Sequence, residues 1–495
     1  MAGALLSSTL ARSPDAPALA WEGVTLTFGE LNAAADRLAG ELAVAPGDRV
    51  AVVGPNVPAL AVSLFACWRA GAVAVPLSAR LRRFELERTF ADAEPLAVVA
   101  VRARQRAGFA LGEEIQSITE GIPSVRVCLL VDELGQVCDR LRLPAASQPS
   151  PETGEIAAIL YTSGTTGEPK GALVRQDLAE AIGHNLADVL GEDAPAPYGL
   201  AAPASHAFGL GCLLAGVAAG APGVMADVGT SVEPLVSALR AAGATVLHGT
   251  PALFGRLERA GAELPLRSGF VAGSRCPPEL LEALDRRGAT ILNLYGMTEL
   301  GPIACCRRDD PPDTRFHTVG RPVNGCEVRI GARPRAEPGE IQVRSGLLPS
   351  GYHRRPWGSE ELADGEWLRT GDLGELDVDG NLIIAGRAKE LINVGGFNVF
   401  PAEVESYLLT HPAIAGAAVI GVPHPVLGEA LQAVIVPTPG AMLEPREVIR
   451  FARSGVAGYK VPYTVRIVEE LPLLPSGKPD RRALAGAAEP AEVTL

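Results

Sequence analysis

The chain has 495 residues, 47% of them hydrophobic, enough for roughly three domains by length and for large buried cores. Its formal net charge of −13 excludes a general nucleic-acid or anionic-membrane binder, because both need a basic face. An anionic ligand must therefore be held by local donors against the overall field.

Taken in chain order, helical and strand patterns alternate. Phe28 to Ala39 repeats its apolar face at helical spacing, Arg49 to Gly54 reads as a buried strand, Ala59 to Gly71 as a helix ending at glycine, and Ala72 to Leu77 as the next strand. Ile159-Leu160-Tyr161 ends a strand, and apolar character resumes at Ala172. The uncharged run Gly209 to Val224, interrupted by Pro222 and preceded by Pro203, predicts a buried helix, a turn and a strand, not a membrane span. Helix-then-strand recurs over 232–247 and 278–292. Such alternation implies α/β layers with largely parallel sheets. From about 320 to 386 short strands replace it, with Asp379-Gly380 as a hairpin signal between Leu376 and Leu382. After Arg387 an α+β segment begins: a helix from Pro401, with proline in its first turn, then strands over 415–422 and 430–436. The expected fold is thus α/β: a large N-terminal domain of layered sheets and helices (1–386) with a β-rich subdomain (about 320–386), a joint at 387–389, and a small α+β C-terminal domain (390–495).

The eight cysteines (67, 128, 138, 212, 276, 305, 306 and 326) form no Cys-x-x-Cys pair. They predict buried free thiols in a reducing cytosol rather than a metal site. No basic stretch precedes the short apolar run at the N-terminus, so no signal peptide is expected and a cytoplasmic location is.

Only four lysines occur, Lys170, Lys389, Lys460 and Lys478; every other strongly basic residue is arginine. Where a compact ammonium survives so general a replacement, a planar guanidinium cannot serve. Lys170 closes the string Tyr161-Thr-Ser-Gly-Thr-Thr-Gly-Glu-Pro-Lys-Gly171. Thr162, Ser163, Gly164, Thr165, Thr166 and Gly167 are small or hydroxylated, so backbone N–H groups and side chains can converge on phosphate oxygens. The string is not a Walker loop, which needs Gly-Lys-Ser/Thr adjacent.

At this string the sequence resembles the superfamily of acyl- and aryl-CoA synthetases, peptide-synthetase adenylation domains and firefly luciferase. The resemblance continues in order through Tyr295-Gly-Met-Thr-Glu299, Gly339-Glu-Ile-Gln-Val-Arg344 with Gly351-Tyr352, Arg369-Thr-Gly-Asp372, Gly386 to Glu405, and Pro475-Ser-Gly-Lys478. It covers most of the chain. It implies a two-step reaction: a small carboxylic acid attacks ATP to give an acyl adenylate and pyrophosphate, and a thiol, that of CoA, then displaces AMP.

The resemblance also implies roles. Lys478 bridges carboxylate and α-phosphate, Thr298 donates to the α-phosphate, and Glu299 holds Mg²⁺, which favours one or two carboxylates plus phosphate oxygens. Tyr295 stacks on adenine; Asp372 accepts both ribose hydroxyls, and Arg387 reaches ribose or phosphate. Asn293, Gly296, Met297, Gly273 and Ser274 complete the nucleotide site, and Lys170 retains pyrophosphate. Lys389 is the hinge about which the C-terminal domain turns between half-reactions. In the second state Gly395 and Gly396 approach the thioester site, where glycine permits close backbone approach. Residues 203–211 match the stretch whose His206 gates the carboxylate; with Phe208, Gly209, Leu210 and Gly301 it forms the acyl pocket. Arg275 could pair with a second substrate carboxylate, although arginine more often faces water. No acidic residue occurs from Ala201 to Ala226, so an α-ammonium group would be buried without a counter-charge; this disfavours amino acids. Where the family often has a Ser/Thr-His pair after the phosphate string, Arg175-Gln176-Asp177 stands here. Three alternatives stay open: an acyl-AMP ligase that loads a carrier-protein thiol, a member that runs only one half-reaction, and a non-catalytic adenylate-binding module.

Overall fold

The computed structural model describes residues 2–81, 83–102, 111–144, 149–163, 169–226, 231–332, 338–349, 351–394, 397–424, 427–456, 458–474 and 478–486. Two nine-stranded sheets carry most of it. The first runs from Arg355–Pro356 through Gly351–Tyr352, Pro169–Arg175, Ile156–Ser163, Val73–Ser78, Arg49–Gly54, Ala97–Val101 and Val127–Val131 to Val137–Arg142. The second runs from Arg321–Pro322 through Gly301–Cys305, Thr290–Met297, Ser268–Val271, Val246–His248, Tyr198–Leu200, Gly223–Met225 and Pro17–Trp21 to Val24–Thr27. The central strands of both are parallel.

Alternation along the strands explains the layering. Val50 and Val52 face one core while Ala51 and Val53 face another. Phe270 and Leu292 join the first core, whereas Val271 and Ile291 join a third. That first core lies between the two sheets and is filled by the helices Ala2–Arg12, Phe28–Leu42, Pro58–Arg69, Gln176–Leu190 and Ala207–Ala219. Buried on both faces, these strands read as continuous apolar runs rather than alternating ones. The local signals fit: Thr27 and Glu30 close a reciprocal capping box on Phe28–Leu42, and proline opens Pro58–Arg69. The uncharged run after Pro203 is the buried helix Ala207–Ala219. Among the described residues no helix is long and apolar enough to cross a membrane.

Glu327–Ile330, Gly339–Arg344, Leu362–Ala363, Trp367–Leu376 and Leu382–Arg387 make a five-stranded antiparallel sheet. This β-rich stretch is not self-contained. Its segment Gly351–Tyr352/Arg355–Pro356 leaves to pair with Pro169–Arg175, and Arg321–Pro322 extends the second sheet. Local pattern cannot show such long-range pairing. The short turn Ala388–Glu390 leads into a last sheet of Phe397–Val399, Ile392–Val394, Gly428–Pro437, Ile414–His424 and Thr464–Ile467, which packs with Pro401–Leu408 and Pro445–Gly455 around a separate small core. The fold is mixed α/β with a small C-terminal domain.

Candidate active site

Ligand clefts in parallel sheets form beyond the carboxyl ends of the strands. Here those ends carry Gly273 and Ser274, exposed just past Ser268–Val271, and Asn293 to Met297 at the end of Thr290–Met297. Asn293 is buried and donates through Nδ2 to the Thr318 carbonyl (3.0 Å), so it is a fixed wall. Gly296 is exposed, and Met297, Thr298 and Glu299 are half-buried.

One cluster joins three distant stretches. The Tyr295 hydroxyl donates to Asp372 Oδ2 (2.7 Å), and Arg387 Nε donates to Oδ1 of the same carboxylate (2.9 Å). Asp372 is almost buried, and its own N–H donates to Thr370 Oγ1 (3.1 Å), which fixes its direction. Burial, and then the Asp372 charge, hold the Tyr295 hydroxyl far above its usual pKa. Burial works against the Arg387 charge, but Asp372 and Glu390 outweigh it and the guanidinium pKa is raised. Lys478, exposed at the surface of the C-terminal part, stands within the fields of Arg387, Asp372 and Glu390. Crowding by protein, then the Arg387 charge, lower its pKa despite the two carboxylates. The neighbouring Arg481 pairs with Glu390 Oε2 (3.5 Å) and Glu405 Oε1 (2.8 Å), which ties this last segment to the turn after Arg387.

A second cluster forms at Glu299. Tyr352 donates its hydroxyl to Glu299 Oε1 (2.8 Å), and the Lys170 ammonium lies 5.6 Å from the centre of the Tyr352 ring. Burial, then the Glu299 charge, raise the Tyr352 pKa. Tyr352 arrives there because His353 N–H donates to the Gly171 carbonyl (2.7 Å) and Tyr352 registers with Ala172. A Cβ on Gly171 would stand 2.6 Å from Ile159 Cγ2 and 3.1 Å from His353 Cβ, so the string must end in glycine for this strand to dock. Beneath it, His353 Nδ1 lies 2.7 Å from Glu152 Oε1 and its Nε2 3.1 Å from the Asp92 carbonyl. The strand before the string runs to Ser163, two residues beyond the expected end at Tyr161, because Thr162 pairs with Lys170 and Ser163 with Pro169. Gly164, Thr165, Thr166 and Gly167 lie outside the described residues, as do Gly395 and Gly396.

The acyl side is apolar. A cavity of about 10 Å³ is lined by Leu160, Val174, Ile182, Leu210, Thr298 and Gly301, among others. His206 precedes the helix Ala207–Ala219 as its N-cap, and Phe208 packs partly buried against the central core. Gly209 has a packing reason of its own: a Cβ there would stand 2.1 Å from the Pro203 carbonyl oxygen. Arg275 is exposed. Arg175 pairs with Asp177 (2.6 Å) at the start of Gln176–Leu190.

Tyr352, Thr370 and Ile182 were not singled out as site residues from sequence. Tyr352 sits in a recognisable motif, yet its role depends on a partner strand far away in the chain. Lys460, the one lysine outside every motif, pairs with Glu403 (2.6 Å) within the C-terminal part and is a structural tie. Six of the eight cysteines are buried, Cys138 is exposed, and all are free. Among the described residues no group of three or more His, Cys, Asp or Glu could hold a metal by itself. Glu299 offers a fixed carboxylate of the kind Mg²⁺ takes when phosphate oxygens and water complete its shell.

Residues 6–353 match the family model for AMP-binding enzyme, and residues 403–478 match AMP-binding enzyme C-terminal domain. The chain is 33% identical over 487 residues to a feruloyl-CoA synthase of Amycolatopsis sp, covering 94% of each chain. It is 32% identical over 491 residues to a 2-succinylbenzoate–CoA ligase of Bacillus cereus, covering 96% of each. Among solved structures, o-succinylbenzoate CoA synthetase from Bacillus subtilis with its acyl-adenylate intermediate superposes with TM-score 0.81 at 27% identity, covering 99% of both chains. An anthranilate CoA ligase in complex with anthranoyl-AMP gives TM-score 0.85 at 25% identity, covering 99% of this chain and 97% of that one.

Proposed function

The chain belongs to the AMP-binding enzyme family, and from that premise we propose how its own residues perform the reaction of an AMP-forming acyl-CoA synthetase. The substrates are a small carboxylic acid, ATP and CoA. Joining a carboxylate to a triphosphate brings two anions together, so oriented donors and cations must offset their repulsion. In a protein of net charge −13 those cations must be local. Lys170, Arg387 and Lys478 supply them: Lys170 on the pyrophosphate side, Arg387 at the ribose, and Lys478 between carboxylate and α-phosphate. Asp372, already oriented by Tyr295 and Arg387, takes the ribose hydroxyls; Tyr295 lies against adenine; Thr298 donates to the α-phosphate. Mg²⁺, held through Glu299, neutralises charge on the phosphates when bound. His206 and Phe208 border the carboxylate, and Leu210 and Gly301 the acyl group. Thr162 and Ser163 end the strand that leads into the string assigned to the phosphates.

The observation that carries this reading is the meeting of Tyr295 and Arg387 on the Asp372 carboxylate, with Lys478, from a fourth separated motif, near enough to feel the charges of Arg387 and Asp372. It supports an arrangement suited to adenylate formation. For thioester formation, the part beyond the joint at 387–389 turns about Lys389, withdraws Lys478 and brings Gly395 and Gly396 to the thiol. The body is then 1–386 and the moving part 390–495. Free, mostly buried thiols suit the reducing cytosol, where we place the enzyme.

The feruloyl-CoA synthase and the 2-succinylbenzoate–CoA ligase act, by name, on carboxylic acids without an α-amino group, in line with the missing acidic residue from Ala201 to Ala226. The test is incubation of a panel of carboxylic acids with ATP, Mg²⁺ and either CoA or a phosphopantetheinylated carrier protein, reading AMP and thioester by mass. Acyl-CoA should form with at least one non-amino acid and with no α-amino acid. Thioester on the carrier alone would make the protein an acyl-AMP ligase, and pyrophosphate exchange driven by an amino acid would overturn the pocket assignment.

A further inference from the structure

Resting on the acyl-CoA synthetase reading, we propose that Ile182 is the stop that sets how long an acyl group the enzyme accepts, and that the group is apolar and uncharged. Ile182 lies on the helix Gln176–Leu190 and is 7% exposed. Its branches press toward two glycines on different elements. Cγ2 stands 3.1 Å from where a Cβ on Gly211 would sit, and Cδ1 stands 2.5 Å from where a Cβ on Gly301 would sit. Gly301 has a φ of +73°, so glycine is favoured there on backbone grounds as well. Two neighbours without side chains make a space, and Ile182 fills it.

What remains is a cavity of about 10 Å³, the room of roughly one water. It is walled by Leu160, Val174, Leu210 and Leu214 and touches Thr298, the residue placed at the α-phosphate. A carboxylate reacting beside Thr298 sends its tail along this wall toward Ile182. Among the described residues no charged one lines the cavity, and Arg275 is exposed, so a second carboxylate on the tail would be desolvated without a partner. Removing Cγ1, Cγ2 and Cδ1 of Ile182 would open the space between Gly211 and Gly301 to the substrate.

The experiment compares the natural enzyme with Ile182→Val and Ile182→Ala on straight-chain monocarboxylates from acetate to decanoate, together with dicarboxylates of matched length. Melting temperatures check that each variant folds. Acyl-CoA formation should move toward longer acids in Ile182→Ala, by about tenfold or more in relative kcat/KM for an added methylene, with a smaller shift the same way in Ile182→Val. Monocarboxylates should outrun matched dicarboxylates in all proteins that fold. A parallel calorimetric series with 5′-O-(N-acylsulfamoyl)adenosines of the same lengths reads the pocket without turnover. An unchanged length profile in both assays, or a preference for dicarboxylates, overturns the proposal. Should no acid yield a thioester while the sulfamoyl series still binds with the shift to longer chains, the stop stands and the synthetase reading fails instead.

Discussion

A positive charge placed between two anions is worth most where few waters screen it; Lys478, exposed beside Arg387 in this arrangement, would meet that condition only with the substrates seated around it. Lys478→Ala should lower acyl-adenylate formation by about a hundredfold or more while leaving thioester formation from supplied acyl adenylate near normal. Pyrophosphate exchange and single-turnover thioesterification, run side by side, check the split; equal loss in both would remove the assigned role. Because protein crowding and Arg387 lower its pKa, the ammonium is lost below the ordinary lysine value of 10.5. Adenylation should therefore fall on the alkaline side earlier than an unperturbed lysine allows, and the second half-reaction should lack that limb. Tyr352→Phe tests the other cluster. Without its hydroxyl, Glu299 loses a fixed donor, at a cost of about 1–3 kcal/mol, so kcat should fall roughly five- to hundredfold and the Mg²⁺ requirement rise. A Mg²⁺ titration of adenylation rate that matches the natural enzyme would count against it. Lys478 was legible in the sequence because lysine is so scarce there. Tyr352 was not, because its meaning lies in which strand it docks beside, and a side chain's neighbours across a sheet leave no local trace.

The parallel strands place the cleft, and one of them carries a buried histidine outside the candidate site. His248 ends Val246–His248, stacks on Phe270 with ring centroids 5.0 Å apart, and accepts the Phe270 N–H through Nδ1 (3.2 Å). Burial pushes its pKa down to about 3 from the ordinary 6.5. Between those values the unfolded chain binds a proton that the native one refuses. Its contribution to stability is therefore full above pH 6.5 and fades by about 1.4 kcal/mol per unit as pH falls toward 3. His248→Asn keeps an acceptor for Phe270, so the difference between the two urea midpoints should be flat above pH 6.5 and shrink below it; parallel curves would contradict the assignment. The strands Arg49–Gly54 and Val73–Ser78 were legible as apolar runs because both faces are buried. The continuation of the first sheet into Gly351–Tyr352 and Arg355–Pro356 was not, since two-residue strands carry no periodicity.

At the scale of the whole molecule, Phe400 of the C-terminal part lies against Gly386 of the body and Lys478 stands near Arg387, while Arg481 pairs with Glu390 and ties the last segment to the turn Ala388–Glu390. A turn this short concentrates any rotation in a few backbone torsions. Lys389→Pro should therefore hold one arrangement and slow one half-reaction at least about tenfold while sparing the other. Separate assays of the two steps would reveal it, and normal overall turnover would argue against a pivot there.

The proximity of Lys478 to Arg387 has one more consequence. Like charges so placed push apart, while the Asp372 and Glu390 carboxylates pull the other way. On the proposed placement of ATP, a bound triphosphate would draw both cations to itself, making the nucleotide a fastener as well as a reagent. Under the proposed rotation, loss of pyrophosphate would then weaken that fastening and favour withdrawal of Lys478 for the second step.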